Sequence, residues 1–205
     1  MNRTKLIADV RHILDEQELV QDPALAYTAV DSLDIGGRVD AVFSSAFDTF
    51  AVVAPLRMLT ESEMPVSGLV YDSGKGTGYL PLPADYLRLG RFKMKGWKRE
   101  VHTPIADEGD DYQLQLCGAT RGGTKNPVVA ICLDEGRLEY YSLPRGVQPH
   151  EIEVATYVKK ASTIAESELK EIGYEAFIWW LAREVGTTFK ADVSGITNKI
   201  KEIFG

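Results

Sequence analysis

The stretch Asp72–Gly78 reads DSGKGTG, and a glycine-rich loop around a lysine is a composition that can cradle phosphate. A phosphate loop needs a strand before it, a helix after it, and the lysine next to the closing Ser or Thr. Here Lys75 precedes Gly76, and the prolines of Tyr79–Pro83 prevent a helix from starting there. The segment therefore predicts a flexible hairpin tip. His12, His102 and His150 fall in a helical stretch, a strand-like stretch and a loop beside Pro149. No HxH or HExxH spacing joins them, so the local sequence supports no metal site. The run DEGDD (Asp107–Asp111) lacks the alternating donors and terminal Glu of a calcium loop, and predicts a solvated turn. Cys117 and Cys132 are too few for a disulfide framework; both read as buried small residues on strands. No GxSxG elbow is present. No catalytic, cofactor-binding or metal-binding residue is assigned, no cofactor is expected, and the chain is not expected to be an enzyme.

A different chemistry stands out at Arg88, Arg91, Lys93, Lys95, Lys98 and Arg99. These six cations crowd into twelve residues of a chain whose formal net charge is −7. The acidic balance, with nine acidic and five basic residues in the first 60, argues against a general duplex-DNA binder. The block admits two explanations. It can be an edge hairpin guarded by charge against aggregation. Alternatively, with Trp97 at its tip, it can be a contact for an acidic protein surface or for nucleic-acid phosphate. Trp179 and Trp180 are the other interface candidates. Adjacent helical positions lie about 100° apart, so both rings cannot share one face, and one is free to meet a neighbouring subunit.

Elements must hold these residues in place. Leu6, Ile7, Val10, Ile13 and Leu14 recur at helical spacing behind a possible Asn2 cap. Asp22–Pro23 predicts a second helix start, running to about Leu33. Asp34 predicts the cap of a third helix whose face is Val39, Val42, Phe43, Ala46, Phe50, Val53 and Ala54, with Asp40 and Asp48 opposite and Pro55 marking a kink or end. After Pro65 the period changes. Strands are predicted over Val66–Tyr71, Tyr79–Leu82, Tyr86–Met94, Trp97–Ile105, Tyr112–Ala119, Pro127–Asp134 and Arg137–Leu143, with turns at Lys95–Gly96, Gly122–Gly123 and Glu135–Gly136. Along Tyr86–Met94 each face mixes apolar and basic residues. From Ser167 the helical period returns. Leu169, Ile172, Ala176, Trp179, Trp180 and Val185 line a helix ending at Gly186, and a last helix spans Thr188–Ile203 with Gly195 weakening its middle.

The expected fold class is α+β: a helical bundle from the N- and C-terminal helices with an inserted antiparallel β module, a small sandwich or barrel. The expected parts are 1–64, 65–160 and 161–205. The 205 residues, 44% hydrophobic and 26% charged, suffice for a core of ordinary soluble type. No apolar run approaches the roughly 20 residues that cross a bilayer, so no membrane partner is expected. The N-terminus lacks the apolar core of a signal peptide, which points to an intracellular protein or one assembled inside a cell.

An ordered series of segments carries a family resemblance. The Ile35 and Val39 helix ends in APLRML (Ala54–Leu59). LPADYLRL (Leu82–Leu89), GWKREV (Gly96–Val101), YQLQ (Tyr112–Gln115), TRGGTKNPV (Thr120–Val128) and LEYYSL (Leu138–Leu143) follow before a helical tail. This order resembles the head–tail connector (adaptor, or ring) proteins of tailed bacteriophages, most nearly the ring proteins of crAss-like phages, over about residues 30–185. The resemblance implies a helical bundle carrying a β-rich insertion and a homo-oligomeric ring, commonly a dodecamer. It implies portal protein and further tail or ring proteins as partners, and genomic DNA passing through the lumen without sequence-specific contact. Location at the head–tail junction of the virion, with assembly in the host cytoplasm, goes with it. Helical tail segments would reach the portal or an adjacent subunit, and the β module the next ring.

Overall fold

A computed structural model describes residues 1–16, 34–72, 74–143, 151–167 and 169–205. The expected helix from Asp22 to Leu33 and His150 lie outside the described residues. The fold is α+β, and the chain divides into two compact units: Met1–Thr60 with Lys160–Gly205, and Glu61–Lys159.

In the first unit, the Asn2 side chain accepts the Lys5 N–H at 3.2 Å and opens α1 (Arg3–Glu16). Leu6, Val10, Ile13 and Leu14 are buried on one face of it. Asp34 accepts the Gly37 N–H at 2.8 Å and caps α2 (Ile35–Val53), satisfying a donor that a helix start leaves orphaned. Ala54 ends α2 in extended backbone, Pro55 follows, and Leu56–Met58 makes a single 3₁₀ turn. Val53, expected on the buried face, is 57% exposed. α4 (Glu171–Thr188) packs against α1, α2 and α5 (Ser194–Phe204), so it is the central helix of the unit. Its Phe177 meets Phe43, Phe47 and Phe50 edge-on at ring separations of 5.2–5.7 Å.

Three helical expectations are corrected. α4 runs past Gly186 to Thr188, because Gly186 is buried against Val193 and the chain turns at Lys190, whose φ is 58°. The last helix begins at Ser194, which puts Gly195 in its first turn and removes the expected weak middle. Ile172 is 54% exposed, off the buried face.

The second unit holds two sheets. β1 (Ser62–Glu63), β8 (Ile152–Lys159) and β4 (Tyr86–Met94) form an antiparallel sheet in the order β1-β8-β4. β2 (Val70–Asp72), β3 (Thr77–Pro81), β7 (Arg137–Tyr140), β6 (Val129–Cys132) and β5 (Ile105–Ala106) follow in the order β2-β3-β7-β6-β5. Leu89, Phe92, Met94 and Tyr157 from the first sheet join Leu80, Val129, Leu138 and Tyr140 from the second in one buried cluster, a small sandwich core. The module is antiparallel except at β5–β6, which pair in parallel.

Two predicted strands are corrected. Asp110–Leu116, expected inside a turn and a strand, is a helix, α3, with two acidic residues in its first turn where the helix dipole favours them. Of the return strand Trp97–Ile105, only a bridge between Val101 and Phe92 pairs with β4, which takes β8 as its ladder partner instead, and Ile105 opens β5 beside β6.

Candidate functional site

β4 places the basic block. Register shifts at Tyr86/Arg88 and Leu89/Arg91 insert extra residues into the strand. Each shift resets the two-residue alternation, so Tyr86, Leu89, Phe92 and Met94 all reach the core. The mixed faces of the sequence thereby resolve into an apolar inner face and a basic outer one. Acidic partners cover that outer face. Arg91 Nε meets Glu61 Oε2 at 3.0 Å, and the Thr156 hydroxyl donates to the same oxygen at 2.5 Å. Lys93 Nζ meets Glu153 at 2.6 Å and Lys95 Nζ meets Glu151 at 2.5 Å. The carboxylates of Glu61 and Glu151 raise the affinity of Arg91 and Lys95 for their protons, chiefly through the hydrogen bonds. Arg88 is partly buried at the other end of the strand, and loss of hydration lowers its pKa. Lys98 and Arg99 are exposed and have no ion pair among the described residues.

Trp97 is corrected from an exposed tip to a core residue. The turn is where it was expected: the Trp97 N–H donates to Met94 O at 3.0 Å across Gly96, whose φ of 91° suits glycine. The indole then folds back, 3% exposed, edge-on to Phe92 at 5.8 Å. Trp180 is half-buried in the helical unit between Phe50 and Phe204, with Arg183 stacked 3.9 Å over its ring and its Nε1–H donated to Thr49 Oγ1 at 3.3 Å. Trp179 is also half-buried. Of the nine interface candidates, the structure gathers Arg88, Arg91 and Lys93 on one strand face, sets Lys95, Lys98 and Arg99 beyond its end, and withdraws Trp97.

A second site arises in the β unit where no sequence motif marked one. A cleft of about 730 Å³ lies between the β2–β3 hairpin, α3 and the outer part of β7. Glu139 is its hub. Oε1 takes Arg137 through Nε at 2.9 Å and a terminal nitrogen at 2.6 Å; Oε2 takes the Tyr141 hydroxyl at 2.7 Å and the Tyr112 hydroxyl at 3.0 Å. Burial alone would raise the Glu139 pKa, but the hydrogen bonds from Tyr141, Arg137 and Tyr112 outweigh it and hold the carboxyl below its ordinary range. Burial, and then the same hydrogen bonds, push both tyrosines well above theirs. Gln115, buried on α3, ties the wall together by accepting the Gly122 N–H at 2.9 Å. Arg121 donates to the carbonyls of Lys75 at 2.6 Å and Leu116 at 3.3 Å. The glycine of the hairpin has a steric role. Gly78 stands opposite Tyr140, and a Cβ there would land on the Tyr140 hydroxyl, which reaches across to Val70 O at 2.9 Å.

The hairpin tip does not offer a phosphate cradle. Asp72 occupies its amides, with Oδ1 accepting from Gly74 at 2.9 Å and Lys75 at 3.1 Å, and its carbonyl accepting from Gly76 at 2.8 Å. Cys132 is buried on β6 as expected, whereas Cys117 is exposed just after α3, because the strand predicted there is a helix. Cys132 brings its sulfur within 4.8 Å of donor oxygens of Asp107 and Glu135. Burial, followed by the charges of Glu139, Asp107 and Glu135, pushes its thiol up to about 11, so at neutral pH it is a neutral, weak nucleophile. The exposed His102 pairs loosely with Glu100 at 3.8 Å, and His12 is exposed on α1.

No site motif marks LEYYSL in sequence, although Glu139 and Tyr141, two residues apart at the end of β7, turn to the same side there. Among the described residues no helix is long and apolar enough to cross a membrane. No protein-family model matches the chain, and no curated protein matches it in sequence.

Proposed function

We propose that this protein is a structural component of a phage virion: a homo-oligomeric connector ring that joins portal to tail and extends the DNA channel. The observation that carries the reading is the division of the chain. Helices from both ends make one unit and a β sandwich is inserted between them. That is the plan the resemblance implies for connector proteins. Ring assembly needs heterologous contacts, one patch against a different patch on the neighbour. A net charge of −7, with the exposed Lys98 and Arg99 just beyond β4, supplies charge of both signs on one chain. An acidic lumen would repel phosphate, so that DNA slides through it without sequence-specific contact.

The rival reading is a module that holds nucleic acid or an acidic protein through residues 88–99. Its support is narrower, because Arg91, Lys93 and Lys95 each have a carboxylate partner. Lys98 and Arg99 would carry the contact.

Mixing the chain with the portal protein of its own phage and imaging the product by electron microscopy tests the first reading. A ring of this chain seated on the portal is expected. A chain that stays monomeric in that mixture, and elutes from immobilised DNA only as salt is raised, would overturn the ring and favour the rival.

A further inference from the structure

We propose that Asp107, Cys132 and Glu135 form a binding site for a zinc-class divalent cation, which staples the short edge strand β5 to the β6–β7 turn. The topology brings the three together. β5 and β6 pair in parallel with Ala106 beside Ile131, so the next residue on each, Asp107 and Cys132, stand at the same end of the sheet. Glu135 follows in the turn that closes at Gly136, whose φ of 62° suits glycine, before β7 begins at Arg137. One donor atom from each of the three side chains lies within 4.8 Å of the other two. Around zinc, with bonds of about 2.0–2.3 Å, donor atoms stand roughly 3.3–3.8 Å apart. The carboxylates can close that difference, because Asp107 is half-buried and Glu135 exposed. Cys132 separates the cluster from ordinary surface acids: it is 0% exposed and turns its sulfur to both carboxylates.

Charge and ligand softness select the ion. The charges of Glu139, Asp107 and Glu135 bear on the Cys132 sulfur, with Arg137 opposing them. A divalent cation would offset that excess of negative charge, and would displace the thiol proton to solvent. Magnesium and calcium take oxygen ligands, whereas a thiolate suits zinc. The outer partners of the ligands are already in place. Arg137 meets Glu135 at 3.2 Å while it holds Glu139 at 2.6 Å. The Tyr112 hydroxyl, fixed by Glu139 at 3.0 Å, also reaches the Cys132 sulfur. Contacts of this kind orient ligating groups, and three protein donors leave the fourth corner of a tetrahedron to water. β5 has two residues and pairs only with β6 among the described residues, so a cation shared by Asp107, Cys132 and Glu135 would fix a weakly held edge.

The inference is independent of the connector reading and is tested on the untagged full chain. Zinc is titrated in competition with a chromophoric chelator, cobalt(II) replaces it for absorption spectroscopy, and backbone amide shifts of isotope-labelled protein locate it. One zinc per chain is expected, bound tighter than about 10 μM, with shifts centred on Asp107, Cys132 and Glu135. Cobalt should show thiolate-to-metal charge transfer, and Cys132→Ser should abolish it. Glu135→Gln, an exposed change that spares folding, should weaken zinc by about tenfold or more, at least the loss that an outer partner brings. Cys117→Ser, at the exposed thiol, should alter neither readout. Calcium and magnesium at about 1 mM should not compete. Should Cys132→Ser fail to fold, Glu135→Gln and Asp107→Asn decide the matter through zinc affinity. No zinc bound by about 100 μM would overturn the proposal. So would affinity unaffected by Glu135→Gln, a cobalt band that survives Cys132→Ser or is lost in Cys117→Ser, shifts centred on the histidines, or calcium binding as tightly as zinc.

Discussion

Trp97 shows how one residue changes the meaning of its neighbours. Tryptophan beside lysine at a turn is what an interface hot spot looks like in sequence. In the fold the ring is 3% exposed and stacks edge-on against Phe92, so its removal opens a cavity and leaves folding, not binding, impaired. Trp97→Ala should lower stability by about 3–5 kcal/mol, read as a shift of the urea midpoint at unchanged slope. The buried indole N–H has no acceptor among the described residues. Trp97→Phe keeps most of the ring and discards that donor, so it should lose less than half of what Ala loses. Equal losses for the two variants would show that the indole edge, not the packed ring, holds the site. Glu139 behaves differently, because its value lies in a charge. Its folded pKa is depressed, so its contribution is present above the ordinary glutamate value of about 4.3 and is lost as pH falls through the folded value. Glu139→Gln should therefore reduce stability at pH 7 by about 1–3 kcal/mol, leaving three buried or half-buried donors poorly served. The gap between wild type and variant in melting temperature should close on acidification below that value. A gap that is constant with pH would mean that shape, not charge, is what Glu139 supplies.

At the scale of elements, legibility depended on whether local pattern and tertiary pairing agreed. α1 and α2 were legible because a 3.6-residue apolar stripe and an Asn or Asp cap point to the same answer. The bounds of β4 were legible as well, but its faces were not. Bulges opposite β8 override simple alternation, and bulges are set by a partner strand about 65 residues away. α3 was misread because Tyr112, Leu114 and Leu116 alternate with glutamines as a strand would; Asp110 and Asp111 at the start were the helix signal. β8 carries strand alternation in IEVATYVK and was passed over, and without it the acidic partners of Lys93 and Lys95 stayed hidden. The cleft was illegible for the same reason, since it needs α3 as a helix to form its wall. α4 yields a prediction of its own. Phe177 touches three phenylalanines of α2 and is fully buried, so Phe177→Ala should cost about 3–5 kcal/mol. Ile172→Ala, on an exposed position of the same helix, should stay within about 0.5 kcal/mol. Comparable losses from the two would contradict the burial assigned to the α2-facing side of α4.

For the whole molecule, the question is how a chain can be interrupted by a sandwich of about a hundred residues and still close a helical core. Each unit has its own clamp near the point of insertion. In the helical unit, Leu59 and Leu169 form an antiparallel bridge that brings the two chain segments together. In the β unit, Ser62 pairs with Tyr157 and Glu63 with Thr156, so its two ends lie side by side on β1 and β8. The core cluster of the β unit is drawn wholly from its own residues, and the same holds for the phenylalanine cluster of the helices. Units with adjacent ends and private cores are those that tolerate excision. A segment covering 61–159 should therefore fold alone, with dispersed amide resonances and a cooperative melt. A chain joining Thr60 to Lys160 through a short Gly/Ser linker should keep its helical circular dichroism and the Phe177 contacts. Were either piece to lack a cooperative melt while the intact chain melts in one step, folding would have to be coupled across the insertion. The terminal helices would then depend on the sandwich, and a connector reading that assigns the two units separate contacts would lose its structural basis.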